Sequence, residues 1–138
     1  AAAAFFAHSG TFSPDMITTI TELSEHAVGM GAELSFARGI PAGVLVAAIV
    51  WMMPSARGNA FFIIVAFTWL IAAGDFTHVI AGSVEMAFLL LTSQLSIQAA
   101  IFDFFLPVLA GNVIGGTVIF TLLAWGQVKS EVLSQEGT

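Results

Sequence analysis

The sequence predicts an all-α integral membrane protein in which one transmembrane helix is broken. Composition carries the first part of that reading: 58% of the residues are hydrophobic, only 9% are charged, and the mean hydropathy is +0.98. A soluble domain carries about 25% charged residues, so a surface with so few charges has to face lipid. The break is read from the apolar stretch Ala60 to Leu91, which is 32 residues long yet holds Asp75, His78 and Glu85. As one straight helix it would measure roughly 48 Å at about 1.5 Å per residue. The hydrocarbon core is only about 30 Å thick, so the stretch is not one simple span.

The elements follow in chain order. Residues 1–9, AAAAFFAHS, are too short to span a bilayer and read as the last turns of a longer helix. They carry no basic region of the kind that opens a secretory signal, and the expectation is a trimmed or fragmentary chain. Ser13 before Pro14 is a helix start, a capping oxygen followed by proline at the first helical position. Met16, Ile20, Leu23, Ala27 and Met30 then form one apolar stripe, with Glu22 and Glu25 off it. This predicts a short amphipathic helix on the membrane or against the bundle.

The first span is predicted at 36–53, with Pro41 near its start, where a missing N–H costs least, and Pro54 after its end. The stretch 60–91 is predicted as two half-helices, 60–73 and 79–91, joined by an irregular piece at 74–78 around Gly74 and Asp75. Backbone of that kind is tolerated at membrane depth where it is buried in protein or lines a cavity, and discontinuous helices build transport sites. TSQLSIQ reads as a polar turn, 104–125 as the last span, and 126–138 as a polar tail. The expected organisation is therefore a lead segment over 1–35, a three-span membrane domain over 36–125, and the tail. Trp51 and Trp125 suit interfacial belts, and Arg57 and Lys129 place the 54–59 turn and the tail in the cytoplasm by the positive-inside rule. Arg38, at the other end of the first span, runs against that rule.

Several function classes fall away. A net charge of −6 with three basic residues leaves nothing to neutralise a phosphate backbone, so nucleic acid is not an expected partner. Without cysteine there is no thiolate chemistry. One His and two carboxylates lack a recognised metal-ligand spacing, and no cofactor is expected. Ser83, five residues after His78, does not by spacing make a hydrolytic triad. His8 and His26 read as solvated.

The informative residues are those that lipid penalises. An ionisable group inside a span costs at least about 2.5–3.5 kcal/mol on insertion scales. Asp75, His78, Gly82 and Glu85 are spaced three, four and three apart, one face of a helix if it were continuous. An imidazole with an ordinary pKa of about 6.5 changes charge near neutral pH. The cluster reads as a buried pathway for a small ion or a proton-linked solute. The alternative is a set of polar groups that satisfy the loose backbone of a broken helix, and Thr77 back-bonding to a carbonyl belongs to it. In GNVIGG, Gly111 and Gly115 form a G-x-x-x-G packing motif. Asn112 reads as a clamp on the opened backbone, or else as a pathway residue.

Three patches, GIPAGVLVAAIVWM (39–52), FTHVIAG (76–82) and LPVLAGNVIGG (106–116), together resemble the formate/nitrite transporter family. The resemblance covers roughly residues 33–129 and corresponds to the last three of six spans, the middle one broken. It implies an aquaporin-like bundle half, in pentamers with one pore per protomer, in a cell's inner (plasma) membrane. It implies passage of small monovalent anions or weak acids such as formate, nitrite or hydrosulfide. The pore histidine would be His78, flanked by Phe76 and Thr77, with Val46 and Ile71 at an apolar constriction. A bare anion does not cross a dry apolar ring cheaply, and a histidine that holds it or hands it a proton lowers that cost. This chain departs from the family pattern at Thr77 (often Glu), Gly82 (usually Asn) and Asp75 (typically Gly), and near Ala27 it lacks a vestibule base. Asp75 and Glu85 add negative charge that opposes an anion. Three spans do not enclose such a pore alone, so a fragment is expected. Two other functions stay open: a non-transporting assembly protein of the same fold, with Asp75, His78 and Glu85 mutually satisfied, and a channel for a neutral or cationic solute.

Overall fold

The computed structural model describes residue 10 and residues 12–136, with side chains described to Lys129. Residues 1–9, including His8, lie outside the described residues, as does the helix end expected there. Helices make up the described fold, and no strand occurs among the described residues.

Helix α1 (Pro14–Val28) starts where its cap and proline require. Ser13 accepts the Met16 N–H at 3.3 Å, and Pro14 follows at the first helical position. Its packed face is rotated from the expected stripe. Met16 and Leu23 are exposed, while Ser24 and Val28 are buried. The reason is that α1 packs on the bundle through Val28, Ile20 and Ala27, against Phe88, Leu89, Phe104 and Val108. Burying the Ser24–Val28 edge turns Leu23 outward toward a cleft described below.

Helix α2 (Ala32–Met52) starts earlier than 36, because the good helix formers Ala32, Glu33 and Leu34 extend it and Glu33 favours the positive helix end. Pro41 therefore lies inside the helix rather than near its start. A short 3-10 turn, Met53–Ser55, ends it. Helices α3 (Ala60–Ala73) and α4 (Val79–Leu91) are separated by residues 74–78. Both end with Schellman hydrogen bonds. Asp75 N–H reaches Ala72 O at 3.1 Å and Phe76 N–H reaches Ile71 O at 3.0 Å; Ser93 and Gln94 repeat the pattern on Leu90 and Leu89. The left-handed positions are Asp75 (φ 51°) and Ser93 (φ 60°), where glycine is usual.

The final helical run is longer than the expected 104–125. Helices α5 (Ile97–Ala99), α6 (Leu106–Val113) and α7 (Phe120–Glu136) follow one another through π-helical segments Ala100–Phe105 and Ile114–Ile119. Ser96 caps the start by accepting the Ala99 N–H, and the expected polar tail continues α7 to Glu136. The first π segment precedes Pro107, which has no N–H to give. Leu106 N–H bonds five residues back, to Ile101 O, so the wider turn takes up the lost bond without ending the helix.

Helices α2 and α6 cross at glycines. A Cβ on Gly111 would meet Gly39 Cα at 3.1 Å, and one on Gly43 would meet Asn112 Cα at 2.8 Å. A Cβ on Gly115 would likewise run into the Ile40 and Val44 backbone, and farther on the Trp51 ring meets Phe120 edge-on at 6.4 Å. The order of these contacts, 39 with 111 and 51 with 120, makes the two helices parallel. The chain between parallel neighbours has to return once, and α3 and α4 are the helices available to return it. Two helical stretches, Ala32–Ser55 and Ile97–Lys129, are each long and apolar enough to cross a membrane; α3 and α4 are shorter. No residue of α3 is buried, and Phe61, Phe62 and Trp69 stand outward, as a lipid- or protein-facing helix requires.

Candidate functional site

The site is the interruption between α3 and α4. After the Schellman turn, the Thr77 hydroxyl donates to Ser35 O at 2.8 Å and is buried. His78 is extended (φ −120°, ψ 124°) and stands at the N-cap of α4 without a side-chain cap of its own. The cap comes from another helix. Asn112 Oδ1 accepts the Val79 N–H at 2.9 Å, while its Nδ2 donates to Gly39 O at 2.9 Å and to Thr77 O at 3.0 Å. One carboxamide thus ties α2, the irregular segment and α4 to α6. Backbone polar groups freed by a helix break need such partners in an apolar surrounding.

A cleft of about 480 Å³ opens beside this segment. Asp75, Phe76, Thr77, His78, Gly82 and Glu85 line it, together with Val46, Ile71, Thr68 and Phe104. Leu23, His26, Ala27 and Met30 line it from the α1 end. The wall is mainly apolar, with its polar groups on the interrupted segment and α4 joined by His26 of α1 and Thr68 of α3. Gly82 has a packing duty as well, since a Cβ there would run into the Phe104 ring. Among the described residues, neither the His78 ring nor the Glu85 carboxylate has a hydrogen-bond or ion-pair partner. Asp75, His78 and Glu85 are therefore not satisfied by one another. Ser83 donates its hydroxyl to Val79 O at 2.5 Å, a helix back-bond that leaves it unengaged with His78.

Asp75 is the exception to the unpaired acids. Its carboxylate accepts from the Arg38 guanidinium and lies 3.1 Å from His26 Nε2. Arg38 also donates to the Asp75 carbonyl at 3.3 Å and to Met30 Sδ at 3.5 Å. The charge expected to repel an anion here is thus offset, and His26, expected to be merely solvated, is exposed but paired.

A family model described as formate/nitrite transporter matches residues 1–126. The chain belongs to the formate/nitrite transporter family. It is 43% identical over 97 residues to the inner membrane protein YfdC of Escherichia coli (strain K12), covering 70% of this chain and 31% of that protein. The chain thus spans about a third of the length of this curated relative. No solved structure matches it.

Two of the expected pathway residues, Asn112 and the cleft-lining Thr77, hydrogen-bond to backbone. Asn112 is absent from the cleft wall and clamps backbone, and the hydroxyl of Thr77 is committed to Ser35. The structure adds two residues that sequence reasoning missed, Arg38 and His26, whose partner lies 37 and 49 positions away. A cation close to the end of the first span, on the side where none was expected, was the available signal for Arg38.

Proposed function

We propose that this chain contributes a His78-centred pathway through which small monovalent anions or weak acids cross a membrane. One observation carries the reading: His78 stands at the gap between two half-helices, faces an apolar cleft that also holds Val46 and Ile71, and has a ring without a partner among the described residues. The positive end of α4 begins at the same point, and a helix N-terminus favours negative charge. Family membership supports anion transport in general; formate, nitrite or hydrosulfide is the narrower class we assign.

In this reading α3 and α4 form one discontinuous transmembrane helix, and residues 36–125 give three crossings of an aquaporin-like bundle half. The parallel run of α2 and α6 supports it, because the chain between them returns once. The same geometry puts Arg57 and Lys129 at one end, and the positive-inside rule makes that end cytoplasmic in a multi-pass plasma-membrane protein. The bare outer face of α3 suits a homo-oligomer or lipid, with a pentamer the assembly implied by the family resemblance. Solute moves past the Val46–Ile71 ring to His78, which holds the anion by hydrogen bond or charge or passes it a proton.

A second reading, a pathway for a neutral or cationic solute, is favoured by Glu85, the unpaired acid in the cleft wall. The test is uptake by proteoliposomes of the intact protein that carries this chain. Formate, nitrite and hydrosulfide are compared with a small amine and a small polyol, from about pH 5 to about pH 8, a range around the ordinary imidazole pKa of about 6.5. Saturable uptake of an anion supports the proposal. Uptake of the amine or polyol alone moves the function to the second reading, and no uptake of any solute removes transport.

A further inference from the structure

We infer that Arg38 and His26 form an anion-receiving site at the α1 end of the cleft, built for planar two-oxygen monoanions, and that Asp75 occupies it as a tethered carboxylate. The inference rests on the proposed pathway and narrows its substrate class. The site is visible because it is filled: the Asp75 carboxylate accepts from the Arg38 guanidinium and has both oxygens within 3.2 Å of His26 Nε2. Arg38 donates through Nη1 to one oxygen, Oδ2, while His26 Nε2 lies against both, so His26 reads the two-oxygen group and the guanidinium adds a permanent charge and a fork able to take a carboxylate. Formate and nitrite share the bent O–X–O shape of that carboxylate; chloride and hydrosulfide do not.

Stability does not explain the arrangement. Asp75 holds φ 51° in a Schellman turn, where glycine is the usual residue and aspartate, like asparagine, is an occasional one. Its side chain is 45% exposed and that of Arg38 33%, and ion pairs so open to solvent contribute little. An acid held at a position that suits glycine, for a weak pair, points to a functional role. The surroundings fit. Of the three Lys and Arg residues in the chain, Arg57 follows the far end of α2 and Lys129 lies over the Trp125 ring, which leaves Arg38 as the permanent cation beside the cleft. Asp75 and His26 both line that cleft with His78. An incoming monoanion takes the place of Asp75 on Arg38 and His26 before it reaches His78. Asp75 thereby sets which anions are admitted, since only a group that matches the carboxylate exchanges with it readily.

Formate binding to the intact detergent-solubilised protein tests this, read by calorimetric titration and by the rise in melting temperature, against sodium chloride at equal ionic strength. Asp75→Gly removes the tethered carboxylate and suits the backbone; Asp75→Asn is the isosteric second variant, tolerated at positive φ. We expect formate to bind either variant about tenfold or more tightly than wild type, a difference of at least ~1.4 kcal/mol. We expect the gain to vanish in Asp75→Gly/Arg38→Ala and chloride not to reproduce it. The inference is overturned if both folded variants bind formate as wild type does, if chloride acts equally, if the double variant keeps the gain, or if neither single variant folds. Because binding is read without transport, a protein that binds as expected but moves no anion overturns the proposed function alone. Anion uptake with formate binding indifferent to residues 38 and 75 overturns this inference alone.

Discussion

Asn112 accepts the N–H of Val79 at 2.9 Å from a helix 33 positions further along the chain. The helix that begins with Val79 has no cap from its own His78, so this bond sets where α4 starts and keeps the His78 side chain free for the cleft. Asn112→Ala leaves Val79 N–H, Gly39 O and Thr77 O without this partner. An unmade buried hydrogen bond costs about 1–3 kcal/mol, so the variant is expected to lose at least ~2 kcal/mol of stability, in thermal unfolding in detergent. His78→Ala, in contrast, is expected to melt near the wild-type temperature. Equal losses in the two variants would mean that His78 is structural.

The glycine crossing between α2 and α6 is expected to tolerate no branched side chain. At Gly43 a Cβ would sit 2.8 Å from Asn112 Cα, a backbone atom that does not move aside alone. Gly43→Val is expected to cost more than the ~1–3 kcal/mol of ordinary overpacking and to abolish the folded protein in size-exclusion chromatography. Gly126→Val, where a Cβ meets open space, serves as the control.

Gly82 and Phe104 are expected to be coupled. A Cβ at 82 runs into the ring, whose far end is a side chain and not backbone. Gly82→Ala alone is expected to destabilise by about 1–3 kcal/mol. Phe104→Leu is expected to remove part of that penalty, so a double-mutant cycle should give a coupling of at least ~0.5 kcal/mol. Additive effects would show that the two do not meet.

Ser93 offers a test of the backbone away from the cleft. It holds φ 60° at the end of α4 in a Schellman turn. A left-handed non-glycine residue costs roughly 1–2 kcal/mol, so Ser93→Gly is expected to raise the melting temperature, less the entropy that glycine adds to the unfolded chain. A lower melting temperature would contradict the turn.

Much of this architecture was legible because its causes are local. Ser13 and Pro14 mark a helix start within two residues, and Gly74 and Asp75 mark the end of α3. Gly111 and Gly115 announced a close crossing, though the positions they meet, Gly39 for Gly111 and Ile40 and Val44 for Gly115, went unremarked. What was not legible depends on distance along the chain. No local pattern says that Asp75 meets His26 and Arg38, that Ser24 rather than Leu23 is buried, or that Thr77 gives its hydroxyl to Ser35. The start of α2 and both ends of the final helical run were missed because Pro41, Pro107 and a polar composition weigh against helix in isolation; α2 holds Pro41 inside it, and the π turn before Pro107 carries the final run past that proline.

The measurement that bears most directly on His78 is formate uptake by proteoliposomes of the intact protein, wild type against His78→Ala and His78→Gln, each first shown to be folded by its melting temperature. A His78 that meets the solute gives an uptake rate at least about tenfold lower in both variants, ~1.4 kcal/mol or more of barrier, with melting temperatures unchanged. Wild-type uptake in a folded His78→Ala protein would contradict the pathway assigned to it.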